Sequence, residues 1–376
     1  MTHDERGLAT RLVHGRGANP LGAVATPVFD TASFAMADMA THERTVRDPM
    51  AYGYYSRVQN PTVAALEETL ASIDSAPRAL AFSSGMAAIT TAMLALGRRG
   101  GHFIASDQLF VNSREWLAYD LPDFGCEVTF VDLTDLTALK AAFRPATRAV
   151  FFEEFTNPRL DVLDMESIVA ITHDHDALVV VDNTFATPVL LRPLELGADL
   201  VIHSATKYLA GHGRVLAGAL AGSGPAMDAI ATLRRRLGTI ITPHNAAAVI
   251  EGISTLELRV ARASDTALRL AELAESHEAT SVVHYPGLPS APAHGLARRL
   301  TGGRHFGGML SFALHAPERK AAVYDAFTQF VRATSLGDVV SLVDSVDDPD
   351  VVRLSAGIES PDDLLSDLSK ALDAAS

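Results

Sequence analysis

The stretch Leu178-Val-Val-Val-Asp182, followed by Asp199-Leu-Val-Ile-His-Ser-Ala-Thr-Lys207, decides how this chain folds. Each segment holds a short apolar run without polar alternation, the mark of a strand covered on both faces. Each run then gives way to a charged side chain. Working outward, three more strand-like runs precede them: His102–Ser106, Glu127–Asp132 and Arg148–Phe155. Helical patterns lie between several of these, as at Met86–Leu96 and Met165–Asp174. Such alternation specifies an α/β fold, a mainly parallel sheet with helices on both faces. Ligands of these sheets bind beyond the carboxyl ends of the strands. Asp182 and Lys207 both belong there.

The flanks are less regular. Met1 to about Asn60 has little periodicity and carries turn residues such as Gly15, Gly17, Pro20 and Pro27, so it reads as an arm that packs against something else. Asn60-Pro61 opens a helix, with Asn60 as cap, Pro61 in the first turn, and Leu66 and Leu70 as its apolar stripe. A helix-rich link over residues 227–278 leads to a smaller C-terminal α/β unit with strand-like Ser281–Tyr285 and Met309–Leu314 and a closing helix, Pro361–Ala374. The expected division is an arm (1–60), a large domain (61–240) and a small domain (241–376).

Composition narrows the function. The 376 residues are 48% hydrophobic and 20% charged, the balance of a folded two-domain protein. A net charge of -14 argues against a nucleic-acid partner. One cysteine, Cys126, excludes an internal disulfide framework and a multi-cysteine metal site. His173-Asp-His175 reads as solvated side chains at a polar helix end, so no metal is expected. Gly211-His-Gly213 and Gly222-Ser-Gly224 lack the third glycine of a dinucleotide fingerprint. Met1–Pro20 shows no charged-then-apolar leader, and no apolar run reaches membrane-spanning length, roughly 20 residues. A cytoplasmic enzyme is the expectation.

Of four lysines, Lys140, Lys320 and Lys370 sit in helical, polar settings. Lys207 lies past a buried strand among small residues, where its charge must be neutralised or used. A structural salt bridge would satisfy it. So would a Schiff base to an aldehyde cofactor, which makes the lysine a later proton carrier. Asp182 either caps the next turn or faces a cation, and the protonated pyridine nitrogen of pyridoxal 5′-phosphate (PLP) is such a cation. Ser83-Ser84-Gly85-Met86 opens a helix whose free amides suit a phosphate, although a simple cap explains the same residues. Ser204 and Thr206, flanking the lysine, could add hydroxyl donors.

Further segments carry a resemblance. Tyr55-Ser-Arg57 with Asn60-Pro-Thr62, Ser84-Gly-Met-Ala-Ala, Asn157-Pro158, Val181-Asp-Asn-Thr-Phe-Ala-Thr-Pro188 and His203-Ser-Ala-Thr-Lys-Tyr-Leu209 are joined by Tyr285-Pro-Gly-Leu-Pro289, Gly307-Gly-Met-Leu-Ser-Phe312, Ser335-Leu-Gly337 and Arg353-Leu-Ser-Ala-Gly-Ile-Glu359. Together they resemble the Cys/Met metabolism PLP-dependent enzymes of fold type I, the family of cystathionine γ-synthase and methionine γ-lyase. The resemblance implies a seven-stranded-type sheet and PLP on Lys207, with Asp182 at the pyridine nitrogen. Gly85, Met86, Ser204 and Thr206 would hold the phosphate, and Asn157 would lie near the phenolic oxygen. Tyr55 and Arg57 would reach the phosphate of a neighbouring subunit, making a homodimer obligatory, with a homotetramer expected. Arg353, helped by Ser335, would grip the α-carboxylate of an amino-acid substrate.

Departures from the family pattern sharpen the expected reaction. Phe110-Val-Asn-Ser113 stands where members usually carry Tyr-Gly-Gly-Thr, so Phe110 keeps the stacking face and loses a proton. Val111 and Asn112 narrow the space above the ring. Thr334, Arg214 and Glu154-Phe155 also depart, at positions often held by Glu or Val, by Asp, and by Thr-Pro or Ser-Pro. The expectation is loss or replacement of a good leaving group, an acyl ester or halide, at Cγ (or Cβ). The alternatives are an ordinary sulfur amino-acid synthase, sulfhydrylase or lyase, and a non-catalytic PLP-binding protein.

Overall fold

The computed structural model describes residues 6–14, 22–47, 55–98, 100–346 and 350–375. The first sheet contains β1 (Arg78–Phe82), β2 (Gly101–Ser106), β3 (Cys126–Val131), β4 (Thr147–Glu153), β5 (Leu178–Asp182), β6 (Leu200–His203) and β7 (Gly218–Gly222). Their order is β1-β7-β6-β5-β4-β2-β3. Only β7 runs antiparallel to its neighbours; the other pairings are parallel. The expected mainly parallel, seven-stranded sheet is present.

Both faces of the sheet are dry, as the unalternating strands require. Val179 and Val181 of β5 join Leu66, Leu70 and Ile168 in one core, on the side of helices Pro61–Ile73 and Met165–His173. Val180 joins Ala88, Ala92 and Ile230 in the other, beneath helices Gly85–Leu96 and Gly224–Leu237. Two strands were not legible in the sequence. Arg78-Ala-Leu-Ala-Phe82 and Gly218-Ala-Leu-Ala-Gly222 lack β-branched residues, and pair with each other through burial rather than propensity.

The second sheet contains β8 (Thr280–His284), β9 (Met309–Leu314), β10 (Val331–Arg332), β11 (Leu342–Asp344) and β12 (Val351–Ser355), in the order β10-β11-β12-β9-β8. Leu270 of helix Leu256–Ser276 and Leu368 of helix Pro361–Asp373 pack with Phe312 and Val352 to form its core.

The N-terminal stretch differs from its sequence reading. It contains helices Leu8–His14 and Met39–Arg47, and the first packs on its own chain: Leu12 enters the first sheet's core, and Arg11 donates to the Ser72 carbonyl and, at 3.2 Å, to the Ser75 hydroxyl. Seven residues were too short a run to show a period. Gly15, Gly17 and Pro20 lie outside the described residues. Helix Pro243–Ile253 contributes Val249 and Ile253 to the first sheet's core rather than to the second unit.

A buried ion pair locks helix Pro61–Ile73 to the sheet edge. The Arg234 guanidinium donates to Glu67 and, at 2.7 Å, to the Ala81 carbonyl of β1, while the Ala81 amide donates to Glu67 at 3.0 Å. Neither charged side chain reaches water appreciably. Arg234→Met strands the Glu67 carboxylate, and we expect a loss of about 3–5 kcal/mol in urea unfolding. Arg234→Met combined with Glu67→Leu should recover much of that loss.

Candidate active site

The carboxyl ends of β4, β5 and β6 open into a cavity of about 620 Å³. At one end is the helix Gly85–Leu96. Its cap, Ser84, accepts from the Ala87 amide at 3.0 Å, which leaves the first-turn amides of Gly85 and Met86 without intrahelical acceptors. Gly85 is required there, since a Cβ would stand 2.9 Å from the Ser204 Cβ. Ser204 lines the cavity beside them. Thr206 lines it too, but its hydroxyl donates to the Ala217 carbonyl (3.1 Å) and accepts from the Ala217 amide (2.9 Å). As placed, that hydroxyl is a backbone clamp rather than an anion donor.

Asp182 ends β5 and lines the same cavity. It accepts from the Thr184 amide at 3.0 Å and from the Thr184 hydroxyl, and among the described residues no Lys or Arg pairs with it. Burial raises its pKa against the effect of Thr184. Beside it in the β4–β5 register is Glu153, which accepts from the Phe110 amide at 2.6 Å. Burial, then the neighbouring Asp182, pushes the Glu153 carboxyl up to about 8. Behind this pair, His203 bonds Asp74 at 3.0 Å, both fully enclosed. Burial opposes the His203 charge, but Asp74 outweighs it and the pKa is raised.

Lys207 lines this cavity too. Its Nζ donates to the Ser335 hydroxyl at 2.8 Å, and burial, followed by the nearby Arg353 charge, lowers its pKa. That shift favours the neutral amine a nucleophile needs. Arg353 comes from β12 in the second sheet and donates to the Asn157 side-chain oxygen at 3.0 Å. Ser335 is held at φ +123, a strained setting for a serine, and links the two sites: its hydroxyl meets Lys207 and its carbonyl meets Arg353. Thr334 and Asn112 also line the cavity. The Phe110 ring is half-exposed at its edge.

Two expected residues lie elsewhere. Tyr55 and Arg57 are exposed and outside the cavity of their own chain; Arg57 stacks 5.3 Å over the Tyr55 ring and donates to the Arg235 carbonyl. Arg214 is exposed outside the cavity. Glu154 is buried with neither carboxylate oxygen hydrogen-bonded, and burial, then the nearby Asp164, raises its pKa well above the usual carboxyl value. His173 bonds Asp199, and His175 bonds the Ile171 carbonyl. Two acidic cavity residues were missed in the sequence, Glu153 and Asp344. Each is an acid at a strand end, the signal that identified Asp182.

Residues 9–348 match the family model of the Cys/Met metabolism PLP-dependent enzymes. The chain belongs to that family. It is 39% identical to an L-methionine gamma-lyase of Pseudomonas putida, over 98% of each chain. It is 37% identical to a cystathionine beta-lyase of Lactococcus lactis (97% of this chain, 99% of the other) and 39% identical to a cystathionine gamma-synthase of Mycobacterium tuberculosis (97% of each). A solved chain from Campylobacter jejuni, assigned as an O-acetylhomoserine (thiol)-lyase and bearing a pyridoxyl-lysine phosphate, superposes with a TM-score of 0.93 at 27% identity, covering 98% of this chain and all of that one.

This Cys/Met metabolism enzyme uses PLP, and its cavity fits the group. One cavity brings together first-turn amides and a glycine suited to an anion, a carboxylate that no Lys or Arg of the described residues pairs, and an amine of lowered pKa.

The raised carboxyls fix a pH dependence. Glu153 and Glu154 hold their protons in the folded chain at pH values where the unfolded chain releases them. Between the unfolded value of 4.5 and about 8, the native state therefore binds more protons, and stability falls as pH rises. We expect the thermal midpoint of the PLP-free protein to drop across that window, and Glu153→Gln to flatten the slope.

Proposed function

We propose that the enzyme eliminates or replaces a sulfur-bearing group on the side chain of an amino acid, as a γ- or β-lyase or a γ-synthase. The observation that carries this reading is the meeting of Lys207, Asp182 and Arg353 on one cavity. The names of its relatives, methionine gamma-lyase, cystathionine beta-lyase and cystathionine gamma-synthase, support it. Bound PLP supplies an electron sink that acidifies the substrate's α-proton. In this reading Lys207 holds the cofactor and then carries that proton, while Asp182 keeps the pyridine nitrogen charged. The Gly85 and Met86 amides with Ser204 hold the phosphate, Asn157 sits beside the ring's oxygen, and Phe110 stacks on its face. Arg353 grips the α-carboxylate through its planar fork.

A second reading is favoured by one observation. Phe110 presents a ring without a hydroxyl to the cavity, beside Val111 and Asn112. A thiolate leaving group gains from a nearby acid; an ester or halide departs without one. The test is release of ammonia and keto acid from a panel that includes methionine, cystathionine and an O-acyl-homoserine. Comparable kcat/KM for thioethers and esters supports the first reading. If esters are much faster, and Phe110→Tyr raises thioether turnover alone by about 10²-fold or more, the second is correct. No turnover, with a cofactor absorbance that no amino acid perturbs, identifies a non-catalytic PLP-binding protein.

We further propose that residues 1–60 form an arm serving a neighbouring subunit, beside a large domain from residue 61 that also takes in helix Pro243–Ile253 and a small C-terminal one, in a homodimer that pairs into a tetramer. The support is that Tyr55 and Arg57 are exposed and make no contribution to their own cavity. We place the enzyme in the cytoplasm on composition, chiefly its single cysteine. Mixing Arg57→Ala with Lys207→Ala subunits, each inactive alone, should restore about a quarter to a half of the activity as subunits exchange. Verified heterodimers without recovery would remove the shared site.

A further inference from the structure

The Arg353 guanidinium already holds a carboxylate from its own chain. Asp344, the last residue of β11, faces Arg353 in the antiparallel β11–β12 register, and its Oδ2 accepts from Arg353 Nη2 at 2.7 Å. Its Oδ1 accepts from the Val346 amide at 3.3 Å, in a turn that keeps Val346 at φ +31, strained for a β-branched residue. Two further Arg353 donors go to Asn157 through Nη1 and to the Ser335 carbonyl through Nη2. Asp344 itself lines the cavity. An incoming carboxylate binds a guanidinium through two parallel N–H bonds. Both Nη atoms are engaged here, and only Asp344 engages one with a full negative charge.

We propose that Asp344 is an internal competitor for the substrate's α-carboxylate, and that binding exchanges one carboxylate for the other at Arg353. This rests on the reading of Arg353 as the carboxylate grip. The exchange lowers affinity by the fraction of time Arg353 is free of Asp344. It also sets specificity, because only a ligand that brings its own anion can replace the charge that Arg353 gives up. An amine or an amide of similar shape leaves the internal pair in place. Asp344 thereby acts as a specificity-determining residue that turns the cavity away from ligands without a carboxylate.

Glycine and methylamine differ by that one group, and neither has a side chain to eliminate. Calorimetric titration of the PLP-loaded enzyme with each, in wild type and Asp344→Asn, tests the exchange. Asparagine keeps the shape and can still accept from the Val346 amide. We expect Asp344→Asn to bind glycine roughly tenfold tighter, with methylamine unchanged. Asp344→Ser should give the same contrast. Unchanged or weaker glycine binding, or an equal gain for methylamine, overturns the proposal. Arg353→Ala separates the two readings. If it abolishes the wild-type preference for glycine over methylamine while Asp344→Asn changes nothing, only the exchange fails. If the preference survives Arg353→Ala, the carboxylate role of Arg353 falls and the exchange with it.

Discussion

The active site depends on the shared direction of β4, β5 and β6. Glu153 lies opposite Asp182, and Asp182 opposite Ile202, so the three strands leave the sheet along one rim. The chain turns at Ser204, where the Lys207 amide donates to the Ser204 carbonyl, and the lysine is delivered to that same rim. A strand rises about 3.3 Å per residue. Reversing β5 would therefore carry Asp182 roughly 15 Å away, to the opposite edge of the sheet. Strand β7 adds a second constraint. A Cβ on Gly218 would lie 2.0 Å from the Ser84 carbonyl oxygen, so only glycine lets the cap of helix Gly85–Leu96 press onto the sheet.

Placing acids at the ends of dry strands has an electrostatic consequence. Asp182 and Glu153 share a low-dielectric corner, and two ionised carboxyls there would repel. Protonation of Glu153 relieves this in part. In the proposed reading a cation brought from outside relieves it further, and the pyridine nitrogen of PLP would be that cation. The enclosed His203–Asp74 pair supports Asp182 from behind, since a charged His203 favours the ionised form of Asp182. In that reading the cofactor would be part of the charge balance of the fold as well as of its chemistry.

How much was legible in the sequence follows from the same physics. Strands β2 to β6 were visible because Val, Ile and Phe recur without alternation, and Asp182 and Lys207 because charge ends such a run. Strands β1 and β7 were not, because Ala and Gly carry no strand signal and become strands only when neighbours cover them. Glu153 was obscured by its neighbour: the pair Glu153-Glu154 drew attention to the family departure at Glu154, while strand parity turns Glu153 into the cavity. The contact of the Thr206 hydroxyl with Ala217 was not legible either, since it joins residues eleven apart. Asp344 needed the β11–β12 register, and a three-residue strand leaves no period to count.

The remaining step is how two sheets with separate cores hold two groups at one fixed spacing. The roles proposed for Lys207 and Arg353, at the α-proton and at the α-carboxylate, meet at one α-carbon, so the two residues would need a defined separation. Ser335 touches both, with its hydroxyl on the lysine and its carbonyl on the arginine. Two residues later, a Cβ on Gly337 would lie 2.7 Å from the Tyr208 amide nitrogen, so this loop of the second sheet lies flush against the residue after the lysine. The Gly337 amide in turn donates to the Ser355 hydroxyl at 3.0 Å, on the strand that carries Arg353. Strain at Ser335 and the missing side chain at Gly337 therefore serve one purpose. They let a short loop fix the separation of Lys207, which follows a strand of the first sheet, and Arg353, which lies on a strand of the second.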